Sequence, residues 1–163
     1  MLIKFLCVIV FSFCAWYFGK NFSDVLKDRI SLVDEYIVFS KELKSAVSYS
    51  GKNIYDFLET NKLKHTTEFS NFLIKNKTIG IEKSLEKYKI KNKDEEICIS
   101  ALKEALVFIE NSSDIEGIGQ LLIGAGENLE NHKKQIQEEY KGKIKIAPSI
   151  ALIGGLFIAL VLI

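Results

Sequence analysis

An all-α chain is what this sequence predicts, with transmembrane helices at the N- and C-terminal ends flanking a cytoplasmic bundle of five or six helices. Three observations predict it. Charge is segregated: of 22 Lys and Arg residues only Lys4 lies outside residues 20–146, and all 21 acidic residues lie inside that window. Both ends are therefore apolar, and the middle is densely and evenly charged. Apolar residues recur at steps of three or four, and no stretch alternates convincingly at period two. Pro148 is the sole proline, so nothing breaks a helix between residues 20 and 146. The boundaries that follow are a transmembrane helix over 2–19, a helical cytoplasmic domain over 20–146 and a second transmembrane helix over 147–163.

The first span has no charge from Phe5 to Gly19. A helix over residues 2–19 is about 27 Å long, close to a hydrocarbon core of about 30 Å, with Lys4 and Lys20 reaching to the headgroups. A cleaved signal peptide ends in small residues. This run ends in Ala15-Trp16-Tyr17-Phe18, and its Trp and Tyr suit an interfacial aromatic belt. A retained anchor is expected.

Continuous with it, residues 22–50 place Val25, Arg29, Leu32, Tyr36, Leu43 and Val47 at helical steps. Gly51 and Asn53 end this helix and cap the next. "IYDFLETNKL", "TTEFSNFLIKN" and "IEKSLEKYKI" read as three short helices over 54–63, 66–76 and 81–90. Residues 92–94 make a break, with Asp94 as the expected N-cap. Residues 95–110 repeat Cys98, Ala101, Leu102, Ala105 and Leu106 as a helix, "NSSD" at 111–114 is a turn, and 115–146 is helical again.

The closing stretch, "APSIALIGGLFIALVLI", is 17 residues without a charge. Counted from Ile144 it is about 30 Å of helix. It is apolar all round, whereas a soluble surface helix keeps one polar face. Pro148 falls near the first turn of this span, where proline is tolerated. Ala151, Gly155 and Ala159 recur every four residues, and Ala15 and Gly19 share that spacing. Small residues so spaced let another helix backbone approach closely. The two spans are expected to pack on each other or on a partner span. Lys20, Lys27, Arg29, Lys141, Lys143 and Lys145 flank the spans, and only Lys4 lies on the other side, so the charged middle is expected in the cytoplasm.

Four glycines interrupt the last helix in "GIGQLLIGAG", residues 117–126. The spacing is wrong for a dinucleotide loop, and no strand precedes it. Each glycine costs a helix about 0.8–1 kcal/mol against alanine. Gly117 and Gly124, like Gly119 and Gly126, are seven apart on one face. Either the segment bends or another helix packs very close.

No catalytic set converges. His65 lies in a polar turn, and His132 borders an apolar stripe between Leu129 and Ile136. The Glu-x-x-His spacing of carboxylate-bridged metal sites would need Glu at 129, which is Leu. Cys7, Cys14 and Cys98 are an odd number without Cys-x-x-Cys spacing, and read as small apolar filler. Net charge is +1, and the aromatics fall on apolar faces instead of among the lysines. An enzyme, a cofactor, a small-molecule substrate and a nucleic-acid partner are all disfavoured.

Taken together, Gly19 at the end of the first span, Arg29 ten residues on, "AVSY" at 46–49, Ile54, the turn "NSSDIEG" with Gln120 beyond, "ENLENHKKQIQEEY" and the closing span resemble the stage III sporulation protein AB family of endospore-forming bacteria. The resemblance covers nearly the whole chain. Departures are Ala46-Val47 where an acidic-Ile pair is usual, a missing proline after it, and a missing Leu-Gly before the Ser-Asp turn. The resemblance implies a membrane subunit of the channel complex linking mother cell and forespore. Its cytoplasmic domain would be similar to the inner-membrane platform protein of type II secretion and type IV pilus systems. The implied partners are a secretion-type ATPase and the other membrane proteins of the same operon. Arg29, Tyr49, Ser113, Asp114 and Gln120, with Gly117 and Gly124, form the expected partner interface. The competing class is a membrane-anchored helical regulatory or signalling adaptor with no secretion role.

Overall fold

The structure, a computed structural model, describes the backbone of residues 2–50 and 53–162 and the side chains of residues 6–48 and 53–161. It is all-α, with no strand among the described residues. In chain order the elements are α1 (Leu2–Ser50), α2 (Ile54–Thr60), α3 (Thr66–Lys75), a 3-10 turn (Lys77–Ile79), α4 (Ile81–Lys87), α5 (Lys93–Asn111) and α6 (Ile115–Leu162). The expected end at Gly51 falls outside the described residues.

Four local expectations are corrected. Helix α4 ends at Lys87, where Tyr88 turns extended, and does not continue to residue 90. Residues 54–63 are not helical throughout: α2 stops at Thr60, because Asn61 leaves the helix and turns its side chain to Thr66 Oγ1 (2.9 Å) and Ser70 Oγ (2.7 Å). The cap of α5 is Asn92, not Asp94; the Asn92 Oδ1 accepts from the Glu95 amide at 3.0 Å. Asp94 is instead a buried member of the first turn. Pro148 lies inside α6, not at the first turn of a separate helix.

Two compact units make up the chain, Met1–Ile30 with Gln135–Ile163, and Ser31–Lys134. In the first unit, α1 and α6 run antiparallel. Their outer faces carry large apolar side chains in the open: Phe18 is 73% exposed, Phe157 69% and Leu160 71%. Both long helices contain stretches apolar enough to cross a membrane, with mean hydropathy of 1.3 and 2.2. Only 17% and 11% of those stretches are buried, where the core helix of a soluble protein would be mostly buried. These are the two candidate spans of a two-pass membrane protein.

The second unit has an ordinary core. Tyr36, Phe39, Leu43, Phe69, Leu102, Leu106 and Leu129 are fully buried. Phe39 packs edge-on against Phe57 and Phe69, with ring centroids 5.2 and 6.2 Å apart, and Phe69 meets Tyr88 at 5.3 Å. Such aromatic pairs add about 0.5–1.5 kcal/mol beyond area burial. The short helices α2 to α4 are too short to hold alone, so their ends need tethers.

Candidate functional site: the crossing of the two long helices

In the first unit, glycine removes what would otherwise keep the helices apart. A Cβ at position 19 would lie 2.7 Å from both the Ala147 carbonyl oxygen and the Ala151 Cβ, and 2.9 Å from the Pro148 Cα. A Cβ at 155 would lie 2.5 Å from the Ala15 Cβ and 3.3 Å from the Phe11 carbonyl oxygen. Each side chain but hydrogen is excluded at both points. Four of the five small residues singled out in the sequence, Ala15, Gly19, Ala151 and Gly155, thus meet one another across the pair. The fifth, Ala159, is buried one turn further on.

The sequence alone did not reveal Ser23. In an α-helix the Ile144 carbonyl accepts from the N–H of residue 148, and residue 148 is proline, which has none. The Ser23 hydroxyl, buried on α1, donates to that carbonyl at 3.1 Å. A proline inside an apolar helix is tolerated where a neighbouring Ser or Thr satisfies the freed carbonyl. Ser23 and the Ile144 carbonyl that the sole proline frees meet across 121 residues, and no local pattern links them.

The expected partner residues are placed differently. Arg29 is half-buried in the first unit. The side chain of Tyr49 lies outside the described residues. Asp114 caps α6: its Oδ1 accepts from the Gly117 amide at 3.1 Å, and a Cβ at 117 would come 2.5 Å from the other carboxylate oxygen. Ser113 and Gln120 are exposed. A Cβ on Gly124 would meet nothing within 4 Å. Gly119 and Gly126 face Ser48 and Ser40 of α1 at 3.9 and 4.0 Å, ordinary contact distances. Within this chain, then, neither a break in the helix nor a tight approach accounts for the glycines from 119 to 126.

Carboxylates in the second unit act as tethers. Glu110 accepts the Tyr55 hydroxyl at 2.5 Å on one oxygen and the Ile81 amide at 2.8 Å on the other, so α5 holds the start of α2 and of α4. Gly80, at φ 84°, lets the chain turn into that amide contact. Glu95 accepts the Tyr88 hydroxyl (3.0 Å) and the Lys91 amide (2.7 Å). Glu35 accepts the His65 amide at 2.6 Å, and His132 Nε2 lies 3.1 Å from Asp94 Oδ1. Burial raises the pKa of Tyr36, Tyr55 and Tyr88 well above the usual tyrosine value, helped at Tyr55 by the bond to Glu110 and at Tyr88 by the charge of Glu95. Burial first, then Asp94 and Glu95, pushes the Cys98 thiol up to about 12. A cleft of about 270 Å³ lies beside the Tyr55–Glu110 pair, with Val47, Ile54, Ser113 and Ile118 in its wall. Both oxygens of Glu110 are already engaged there. Among the described residues no three His, Cys, Asp or Glu side chains gather where they could hold a metal.

The arrangement is one of helix contacts and end tethers. Compared with known proteins, residues 4–163 match the family model described as stage III sporulation protein AB, essentially the whole chain. No curated protein and no solved structure matches it.

Proposed function

Since the chain belongs to the stage III sporulation protein AB family, with the stage III sporulation role that membership implies, we propose that it is a non-enzymatic platform subunit of a secretion-like channel between mother cell and forespore. The chain is anchored twice in the membrane, and its helical domain lies in the cytoplasm, on the mother-cell side of the outer forespore membrane. The observation that carries the reading is the crossing at Gly19 and Gly155, which joins two apolar helices into one unit while leaving their outer faces to lipid. A platform needs a fixed membrane base and a folded domain for partners, and Glu35, Glu95 and Glu110 hold the ends of that domain's short helices together. The basic residues flanking the spans support the cytoplasmic side. Its partners are the other membrane subunits of the channel and a secretion-type ATPase.

Deletion of the gene tests the role: forespore development is expected to stop after engulfment, and normal spores would overturn the reading. Orientation is tested by a cysteine placed beside Ile163. Labelling from outside the cytoplasm is expected, and labelling only from the cytoplasmic side would refute it. The Gly155→Leu chain, which cannot close the crossing, is expected to fail to complement the deletion.

A further inference from the structure

A groove of about 460 Å³ runs along the α1–α6 pair of the first unit. Its walls are Gly19 and Phe22 of α1 and Gly142, Ile146, Ala147 and Ile150 of α6, with Lys143 at one end. Phe22, Ile146 and Ile150 are at least half exposed, so the groove opens on the apolar outer surface. From residue 142 to 151 it is about 13 Å long, so it straddles the expected start of the span at residue 147. The groove is apolar along its floor and cationic at one end. Lys143 reaches Glu139 at 2.7 Å and lies 5.7 Å from the Tyr140 ring, and Lys141 and Lys145 are its exposed neighbours.

We infer that this groove binds one phospholipid with an anionic headgroup, its acyl chain against Phe22, Ile146 and Ile150 and its phosphate at Lys143. The inference rests on the reading that these helices span a membrane. Charge complementarity selects the occupant. A lipid phosphate meets Lys143 at the interface, where the ammonium stays hydrated. A second helix in the same groove would have to bury Lys143, and desolvating that charge is costly. A helix would also follow the whole span, whereas the groove ends at Ala151. The Lys143–Glu139 pair does not block the site, because both side chains are about half exposed and such pairs are weak and exchangeable.

Gly142 provides the test. A Cβ there meets nothing within 4 Å, and the same holds for Gly154, which does not line the groove. Gly142→Leu therefore fills the groove without disturbing the helix crossing, and Gly154→Leu is the matched change outside it. The full chain is reconstituted in bilayers of phosphatidylcholine and phosphatidylglycerol, and the lipid retained per chain is read by native mass spectrometry. Phosphatidylglycerol is expected to be retained over phosphatidylcholine. Gly142→Leu is expected to lower that retention about tenfold, since displacing two buried methylenes already has that effect. Gly154→Leu is expected to leave retention unchanged, and Lys143→Gln to remove the preference for the anionic lipid.

Equal retention of the two lipids by the wild-type chain would overturn the site, as would equal loss in both leucine variants. Loss of a cross-linked dimer in Gly142→Leu with lipid retention unchanged would assign the groove to a helix instead. Carbonate extraction of membranes separates the two levels of the inference. A chain released by carbonate refutes the membrane reading itself, and a chain that stays while Gly142→Leu binds lipid like wild type refutes the groove alone.

Discussion

The two long helices meet at glycines twice, and the two meetings differ. In the first unit, Gly19 and Gly155 sit where a Cβ would lie 2.5–2.7 Å from the opposite helix. In the second, Gly119 and Gly126 face Ser48 and Ser40 at 3.9–4.0 Å, where an alanine fits. Each glycine costs its helix about 0.8–1 kcal/mol. At the first seam close packing offsets that cost, because two backbones come together only where no side chain stands between them. At the second seam no contact within the chain offsets it. The serines repeat the contrast. Ser23 supplies a donor to a carbonyl that Pro148 deprives of its helical amide. Ser40 donates at 3.2 Å to the Leu122 carbonyl, which the helix already pairs with the Gly126 amide. Glycine spacing alone therefore does not mark a tight interface; the size of what lies opposite does.

The largest break in this comparison is Gly155→Leu or Gly19→Leu. Overpacking the first seam is expected to destabilise the pair by about 3 kcal/mol. Loss of a disulfide cross-link between cysteines placed on the two spans, measured in detergent, checks it. A cross-link as strong as in the wild type would mean that the seam is not closed in solution.

Next is Ser23→Ala, which strands the Ile144 carbonyl at a cost of about 1–3 kcal/mol. Pro148→Ala restores an amide at residue 148, so in that background the serine loses most of its effect. A double-mutant cycle on thermal unfolding reads the coupling, and additive effects would count against the pairing. Ser40→Ala, by the same measurement, is expected to cost less than Ser23→Ala.

Smaller, and opposite in sign, is the second seam. Gly119→Ala and Gly126→Ala are each expected to stabilise the chain by about 0.8–1 kcal/mol. The midpoint of denaturant unfolding should rise, and a fall would show that this seam is tighter than its distances.

The last contrast is silent at neutral pH. Tyr36, Tyr55 and Tyr88 of the second unit have raised pKa values. A raised folded-state pKa means that the folded chain keeps its proton where the unfolded chain has lost it. That stability is fully present below about pH 10, the unfolded tyrosine value, and is lost as pH rises beyond it. Phenolate absorbance of these three residues should appear only together with alkaline unfolding. Phenolate signal from all six tyrosines of the chain in still-folded protein would contradict the buried placement.

Helix order and the small-residue face of the spans were legible in the sequence because both follow from spacing along one chain. The tethers were not. Glu110 holds an amide 29 residues away, and Glu35 one 30 residues away; a glutamate on a helix face looks the same whether it meets water or a distant N–H. Asp94 and Asn92 were exchanged as caps because both residue types cap helices well, and only the burial of Asp94 beside His132 separates them. Pro148 looked like a helix start because a proline is tolerated in mid-helix only where something else answers its carbonyl, and Ser23 is far away in sequence.

That answered carbonyl also fixes an axial position. The glycine seam already resists a slip of one turn, which would set Ala15 against Ala151 or Ala159 at a spacing where only hydrogen fits. The Ile144 carbonyl is a single point on α6, and the Ser23 hydroxyl reaches only that point. A slip of one turn would leave the carbonyl stranded in an apolar surround. The Ser23–Ile144 bond therefore works as a key in a slot, adding a polar constraint to the steric one and resisting displacement of the pair along its axis.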